Sequence, residues 1–150
     1  MRTNKTKVKN FTKTDWIRSF ISYAHDNLTA SQIPELATVN TVRYKLVCDA
    51  IEFTLKGLLL SLGYELSDLK TGFGHGIYAL TATLCLEWVI AENGDLLDTG
   101  ALEAIKRVSP LYEDKSLHYP NEYTKDVPGF KILLKAASSL LEKLESEFKK

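Results

Sequence analysis

From Leu46 to Leu62 the chain offers a helical surface with almost no polar side. Leu46, Val47, Ala50, Ile51, Phe53, Leu55, Leu58, Leu59, Leu60 and Leu62 cover most of the circumference. The polar residues Thr38, Thr41, Lys45, Asp49, Glu52 and Lys56 follow steps of three and four and so fall on one narrow line. A helix this apolar must be covered on several sides, which makes it the central helix of a bundle and predicts further burial against a second subunit. Gly63 suits the left-handed residue that ends such a helix. A loop over 64–74 then delivers Gly72-Phe73-Gly74-His75-Gly76-Ile77 to the start of the next helix.

The rest of the pattern is helical too. A first helix begins near Thr14-Asp15, either of which can cap it, and carries Ile17, Phe20, Ile21, Ala24 and Leu28 on one face before stopping at Ile33-Pro34. Pro34 is placed as the first residue of the central helix, predicted over 34–62. A third helix is expected over 75–92, with Leu80, Leu84, Leu86, Trp88, Val89 and Ile90 forming a wide core face and Asn93-Gly94-Asp95 ending it. A shorter one is expected over 98–108, capped by Asp98 or Thr99 and stopped at Ser109-Pro110. Residues 109–129 read as a Tyr- and Pro-rich loop, and a last amphipathic helix covers 128–148. No stretch alternates with the period of a strand. The expectation is an all-α, antiparallel up-and-down bundle of four to five helices, one domain over 14–150 behind a flexible basic arm at 1–13.

With 19 basic and 19 acidic residues in 150, the net charge is zero, and no strong long-range steering is expected. The arm holds Arg2, Lys5, Lys7, Lys9 and Lys13 without an acid, and reads as a solvated terminus or a nucleic-acid contact. Cys48 and Cys85 lie inside apolar helical patterns, away from His or Cys at metal-ligand spacing. Both read as small core residues of a reducing compartment. No signal-peptide pattern and no membrane-length apolar run is present, so a soluble cytoplasmic protein is expected, with no membrane association.

With the helices placed, the motifs resemble those of the HEPN superfamily of nucleotide-binding helical domains. The matching residues are Ala50, Glu52, Lys56 and Leu59 on the long helix, the Gly63 stop, and Gly74-His75 leading into Ile77 and Leu80. Leu117-His118-Tyr119-Pro120 stands where many members carry an Arg-Tyr-Pro-like segment. The likeness covers about 34–148. It implies a helical bundle that forms a homodimer and serves as a metal-independent ribonuclease, a non-catalytic companion of a nucleotidyltransferase, or a binding module, often in toxin–antitoxin or phage-defence systems. The ribonuclease branch has Arg-x(4–6)-His near the start of the last long helix. Here the positions upstream of His118 are Leu111, Tyr112 and Glu113, and the nearest arginine is Arg107. An Arg18…His25 pair in the first helix has a similar spacing, at a different place in the chain.

The candidate chemistry is therefore limited. Glu52 and Lys56, Glu first at i,i+4, form the favoured helix ion pair, worth about 0.2–0.5 kcal/mol if exposed. They read as a structural bridge or as the charged floor of a cleft, where Lys56 meets a phosphate. His75, at a helix start behind glycines, either packs against the central helix or adds a donor to an anion site. His118 with Tyr112, Tyr119 and Tyr123 can stack on bases or seal an interface. Catalytic candidates are His118, Arg18 and His25. The ligand-binding candidates are Glu52, Lys56, His75, His118 and Tyr119. The chain lacks the phosphate loop, the di-iron Glu-x-x-His pair and the zinc His-Glu-x-x-His pattern, so no metal and no cofactor are expected. The leading expectation is a non-catalytic homodimer that contacts RNA, a nucleotide or a protein such as an antitoxin or nucleotidyltransferase. The alternatives are a ribonuclease with a degenerate site and a structural dimerisation adaptor.

Overall fold

The apolar run lies at the centre of the molecule. The structure is a computed structural model that describes residues 10–38, 40–72, 76–114, 117 and 127–150. Among these residues the regular elements are all helical: α1 (Lys13–Ser31), a 3₁₀ turn (Pro34–Thr38), α2 (Asn40–Ser61), α3 (Leu66–Gly72), α4 (Ile77–Ile90), α5 (Thr99–Glu113) and α6 (Phe130–Phe148). Helix α2 is packed by α1, α4 and α6, which together cover the wide apolar arc seen in its sequence. Ile51, Leu55, Leu58 and Leu59 lose all contact with solvent, as do Leu80 and Leu84 of α4, Ile105 of α5 and Leu133 and Leu140 of α6. Each such side chain contributes about 1.5–3 kcal/mol of burial.

Side-chain contacts fix the directions. Phe20 stacks on Phe53 and the tilted Tyr23 ring packs against it, so α1 lies along α2, and the Arg43 guanidinium sits 4.1 Å over the Phe130 ring where α2 and α6 begin. Further along, a Cβ on Gly57 would lie 2.7 Å from Leu144, so α2 and α6 run in the same sense and approach closely at that glycine. Tyr44 tightens the same end by donating its hydroxyl to the Pro128 carbonyl at 2.6 Å.

The helix ends explain where the structure departs from the sequence reading. Helix α1 is capped earlier than expected, by Thr12: its hydroxyl accepts from the Asp15 N–H while the Asp15 carboxylate accepts from the Thr12 N–H, a reciprocal capping box. Pro34 opens a separate 3₁₀ turn rather than α2 itself. Gly63, with φ of 107°, ends α2 as expected, the Tyr64 and Gly63 N–H groups returning to the Leu59 and Leu60 carbonyls. The predicted loop after it contains α3, because Asp68 accepts from the Glu65 N–H and Leu69 is buried. Helix α4 ends through the same hydrogen-bond pattern, but Glu92, not a glycine, takes the left-handed position with φ of 62°.

Helix α5 continues through the predicted stop at Pro110. A proline this near a C-terminus forfeits one hydrogen bond. Ser109 offsets that loss: its hydroxyl accepts from the Tyr78 N–H at 3.0 Å and donates to Glu113 at 3.0 Å. It thereby caps α4, whose own N-cap, Gly76, has no side chain. The extra turn places Tyr112 on a helix instead of in a loop.

Candidate functional site

The polar line of α2 meets that extra turn of α5. Lys45 Nζ lies 2.9 Å from Asp49 Oδ2, and Lys56 Nζ lies 2.6 Å from Glu52 Oε2. The Tyr112 hydroxyl reaches between the two acids, 2.5 Å from Asp49 Oδ1 and 2.7 Å from Glu52 Oε1. One oxygen of each carboxylate thus pairs with a lysine, and the two remaining oxygens share the single phenol proton. Glu52 is only 4% exposed, so its pair with Lys56 is a buried bridge and not the surface pair its spacing alone predicts. Removing one partner of such a bridge leaves a charge uncompensated in a poorly solvated site.

The electrostatics follow from the burial. Desolvation first, then the Glu52 charge and the hydrogen bonds to Asp49 and Glu52, push the Tyr112 hydroxyl far above its ordinary 10.0. The phenol stays protonated and acts as a donor. Cys48, on the neighbouring turn, is fully buried, and burial followed by the charges of Asp49 and Glu52 raises its thiol, which makes it inert as a nucleophile. The cluster is a saturated set of charges that locks α5 onto α2.

The other sequence candidates lie elsewhere. Arg18 pairs with Asp15 at 3.6 Å and stands 5.6 Å from the Phe148 ring centroid, while His25 Nε2 lies 3.3 Å from Glu145 Oε2. Two helical turns, about 10 Å, separate their backbones. Each is bound to its own acid, and neither approaches Glu52 or Lys56 in any described contact. His75, His118 and Tyr119 lie outside the described residues, as does Tyr123. Their neighbour Leu117 is buried in the core. Among the described residues no three His, Cys, Asp or Glu side chains gather at metal-binding distance, and no helix is long and apolar enough to cross a membrane.

A second surface emerges that the sequence reading assigned to the core. Helix α4 buries Ile77, Leu80, Thr81, Leu84 and Trp88. The opposite arc is equally apolar yet faces solvent: Leu86 is 62%, Val89 54%, Ile90 65% and Tyr78 39% exposed, with Ala79 and Ala82 exposed between them. Cys85 stands at the edge of this arc and is half-exposed instead of sealed in the core; burial, then the charge of Asp95, raises its thiol. Among the residues of α4 only Glu87 is charged, and it points away from the arc to accept from the Tyr64 hydroxyl at 3.2 Å. Periodicity identifies a wide apolar face, but not which arc of it the bundle covers. No protein-family model matches the chain, and no curated protein and no solved structure is significantly similar to it.

Proposed function

We propose that this chain is a non-catalytic helical binding module of the HEPN-like kind, and that its working surface is the exposed arc of α4, which takes a protein partner. The observation that carries this reading is the run of large apolar side chains, Leu86, Val89 and Ile90, each more than half exposed on one face of one helix. Exposed apolar residues scattered singly need no explanation, whereas a contiguous set on one ridge marks an interaction surface. The charged cluster supports the non-catalytic part. Asp49 and Glu52 are each paired with a lysine and share the Tyr112 proton, and the pairing of Lys56 with Glu52 leaves it a poor anchor for a phosphate. Toxin–antitoxin or phage-defence systems are the setting that the resemblance to HEPN domains implies for such a module.

A photo-crosslinking amino acid placed at Val89 in the full chain, in cells, is expected to trap a protein adduct that mass spectrometry identifies. The same group at the exposed Glu142 is expected to trap none. Absence of an adduct at Val89 overturns the reading. Purified protein is expected to leave structured and single-stranded RNA intact in EDTA. Cleavage that disappears in His25→Ala or His118→Ala overturns its non-catalytic part and establishes a metal-independent ribonuclease.

A further inference from the structure

We infer that a cavity between α5, α6 and residues 95–98 binds a small zwitterion, of the class of a free α-amino acid with an apolar side chain. No residue of α4 lines this cavity, so the inference stands apart from the reading of α4 as a protein-binding surface.

The cavity measures ≈ 430 Å³ and so falls within the roughly 300–1,000 Å³ of small-molecule sites. Small side chains leave the hollow: Gly100 and Ala101 in the first turn of α5, Ala136 and Ser139 on α6. Leu97 and Ile132 add apolar surface to the lining.

Charges of both signs line it. The α6 wall carries Lys135 and Lys143 with Ser139 between them, at steps of four that place all three on one helix face. The other wall carries Asp95 and Asp98. That wall is held in place, because Leu96 and Leu97 are buried between the two acids and Asp98 Oδ1 accepts from the Ala101 N–H at 2.8 Å as the cap of α5. Asp98 is thus engaged by its own helix. Lys143 donates to the Ser139 hydroxyl at 3.0 Å and reaches no acid among the described residues. Asp95 and Lys135 are left. Both are exposed, neither is hydrogen-bonded or ion-paired with a described residue, and they do not pair with each other across the cavity they share.

Opposite charges that line one cavity without meeting suit a ligand that carries both signs. An α-amino acid satisfies them together: its ammonium donates to Asp95, its carboxylate accepts from Lys135, and its side chain lies against Leu97 and Ile132. Each contact is a charge-assisted hydrogen bond, roughly twice as strong as a neutral one. A plain anion such as phosphate is drawn by the lysines but repelled by the two acids, and a plain cation meets the reverse. The lining therefore selects against ligands of a single charge.

Isothermal titration calorimetry of the full chain with leucine, isoleucine, valine, methionine and phenylalanine tests this. At least one is expected to bind with a Kd of about 1 mM or tighter. Its N-acetyl derivative lacks the ammonium, its amide lacks the carboxylate and glycine lacks the side chain; each is expected to bind about tenfold more weakly or worse. Asp95→Asn and Lys135→Met, both at exposed positions, are expected to weaken binding about as much with an unchanged circular dichroism spectrum. Asp26→Asn, an exposed acid of α1 outside the cavity, is expected to leave it unchanged. The inference is overturned if none of the five amino acids binds, or if the N-acetyl derivative or the amide binds as tightly as its parent. Binding at wild-type strength by either variant, or tighter binding of inorganic phosphate than of any amino acid, overturns it equally. The analogue series needs no variant, so a folding defect at Asp95 or Lys135 leaves the test intact.

Discussion

Tyr112→Phe removes a single oxygen, and that oxygen joins α5 to the charges of α2. The hydroxyl shares its single proton between two carboxylates, 2.5 Å from Asp49 and 2.7 Å from Glu52. A hydrogen bond to a charged acceptor contributes about 1.5–3 kcal/mol, and water can enter beside a half-buried ring, so the variant should lose about 2 kcal/mol at neutral pH. For a chain of this size that is a fall in Tm of roughly 4–8 °C. The pH dependence makes the test specific. Burial and the Glu52 charge hold the folded-state hydroxyl far above the ordinary 10.0, whereas the unfolded chain releases that proton near 10.0. The native state therefore binds more protons above that pH. The contribution of Tyr112 is fully present below it and is lost as pH rises through it, at no more than about 1.4 kcal/mol per pH unit. Urea unfolding of both proteins between about pH 7 and 11 should show a constant gap up to about pH 10 and a narrowing gap beyond it. A gap below about 0.5 kcal/mol at neutral pH, or one that stays constant to the alkaline limit, refutes the account of Tyr112 as a buried donor.

Lys56→Met strands the Glu52 carboxylate in its buried position and should cost about 3 kcal/mol by urea denaturation, far more than an exposed helix pair. Gly57→Val drives a branched side chain into Leu144, only 2.7 Å from where its Cβ must sit, and should destabilise by about 2 kcal/mol or more in the same assay. Glu92→Gly relieves the left-handed strain at the end of α4 and should stabilise the fold by about 0.5–1 kcal/mol, measured as a higher urea midpoint with unchanged slope. In native protein a thiol reagent should titrate Cys85 alone; Cys48 should react only after denaturation.

The sequence made the central helix, its Gly63 stop and the Glu52–Lys56 pair legible, because each depends on spacing within one segment. It also showed a wide apolar face on α4. What it did not show depends on contacts between segments. Pro110 reads as a helix end unless one knows that Ser109 finds partners on α4 and on its own helix. Tyr112 then reads as a loop aromatic, and the acids of α2 lack their third partner. Leu86, Val89 and Ile90 carry the same apolar signal as Leu80 and Leu84, so periodicity places all five in the core. Only the placement of α2 and α5 decides which arc the bundle covers. The polar line that should have exposed an unmatched need for a donor was visible, but nothing in the chain marked Tyr112 over its neighbours.

Ser109 gives the molecule a joint. Its hydroxyl grips the first turn of α4 through the Tyr78 N–H, and one helical turn further along α5 the Tyr112 phenol grips α2. The solvent-facing ridge of α4 and the buried charges of α2 are therefore linked by two hydrogen bonds and a single turn of helix. The last turn of α5 therefore anchors the start of α4 and the charged line of α2 at once, beside the direct packing of α4 on α2.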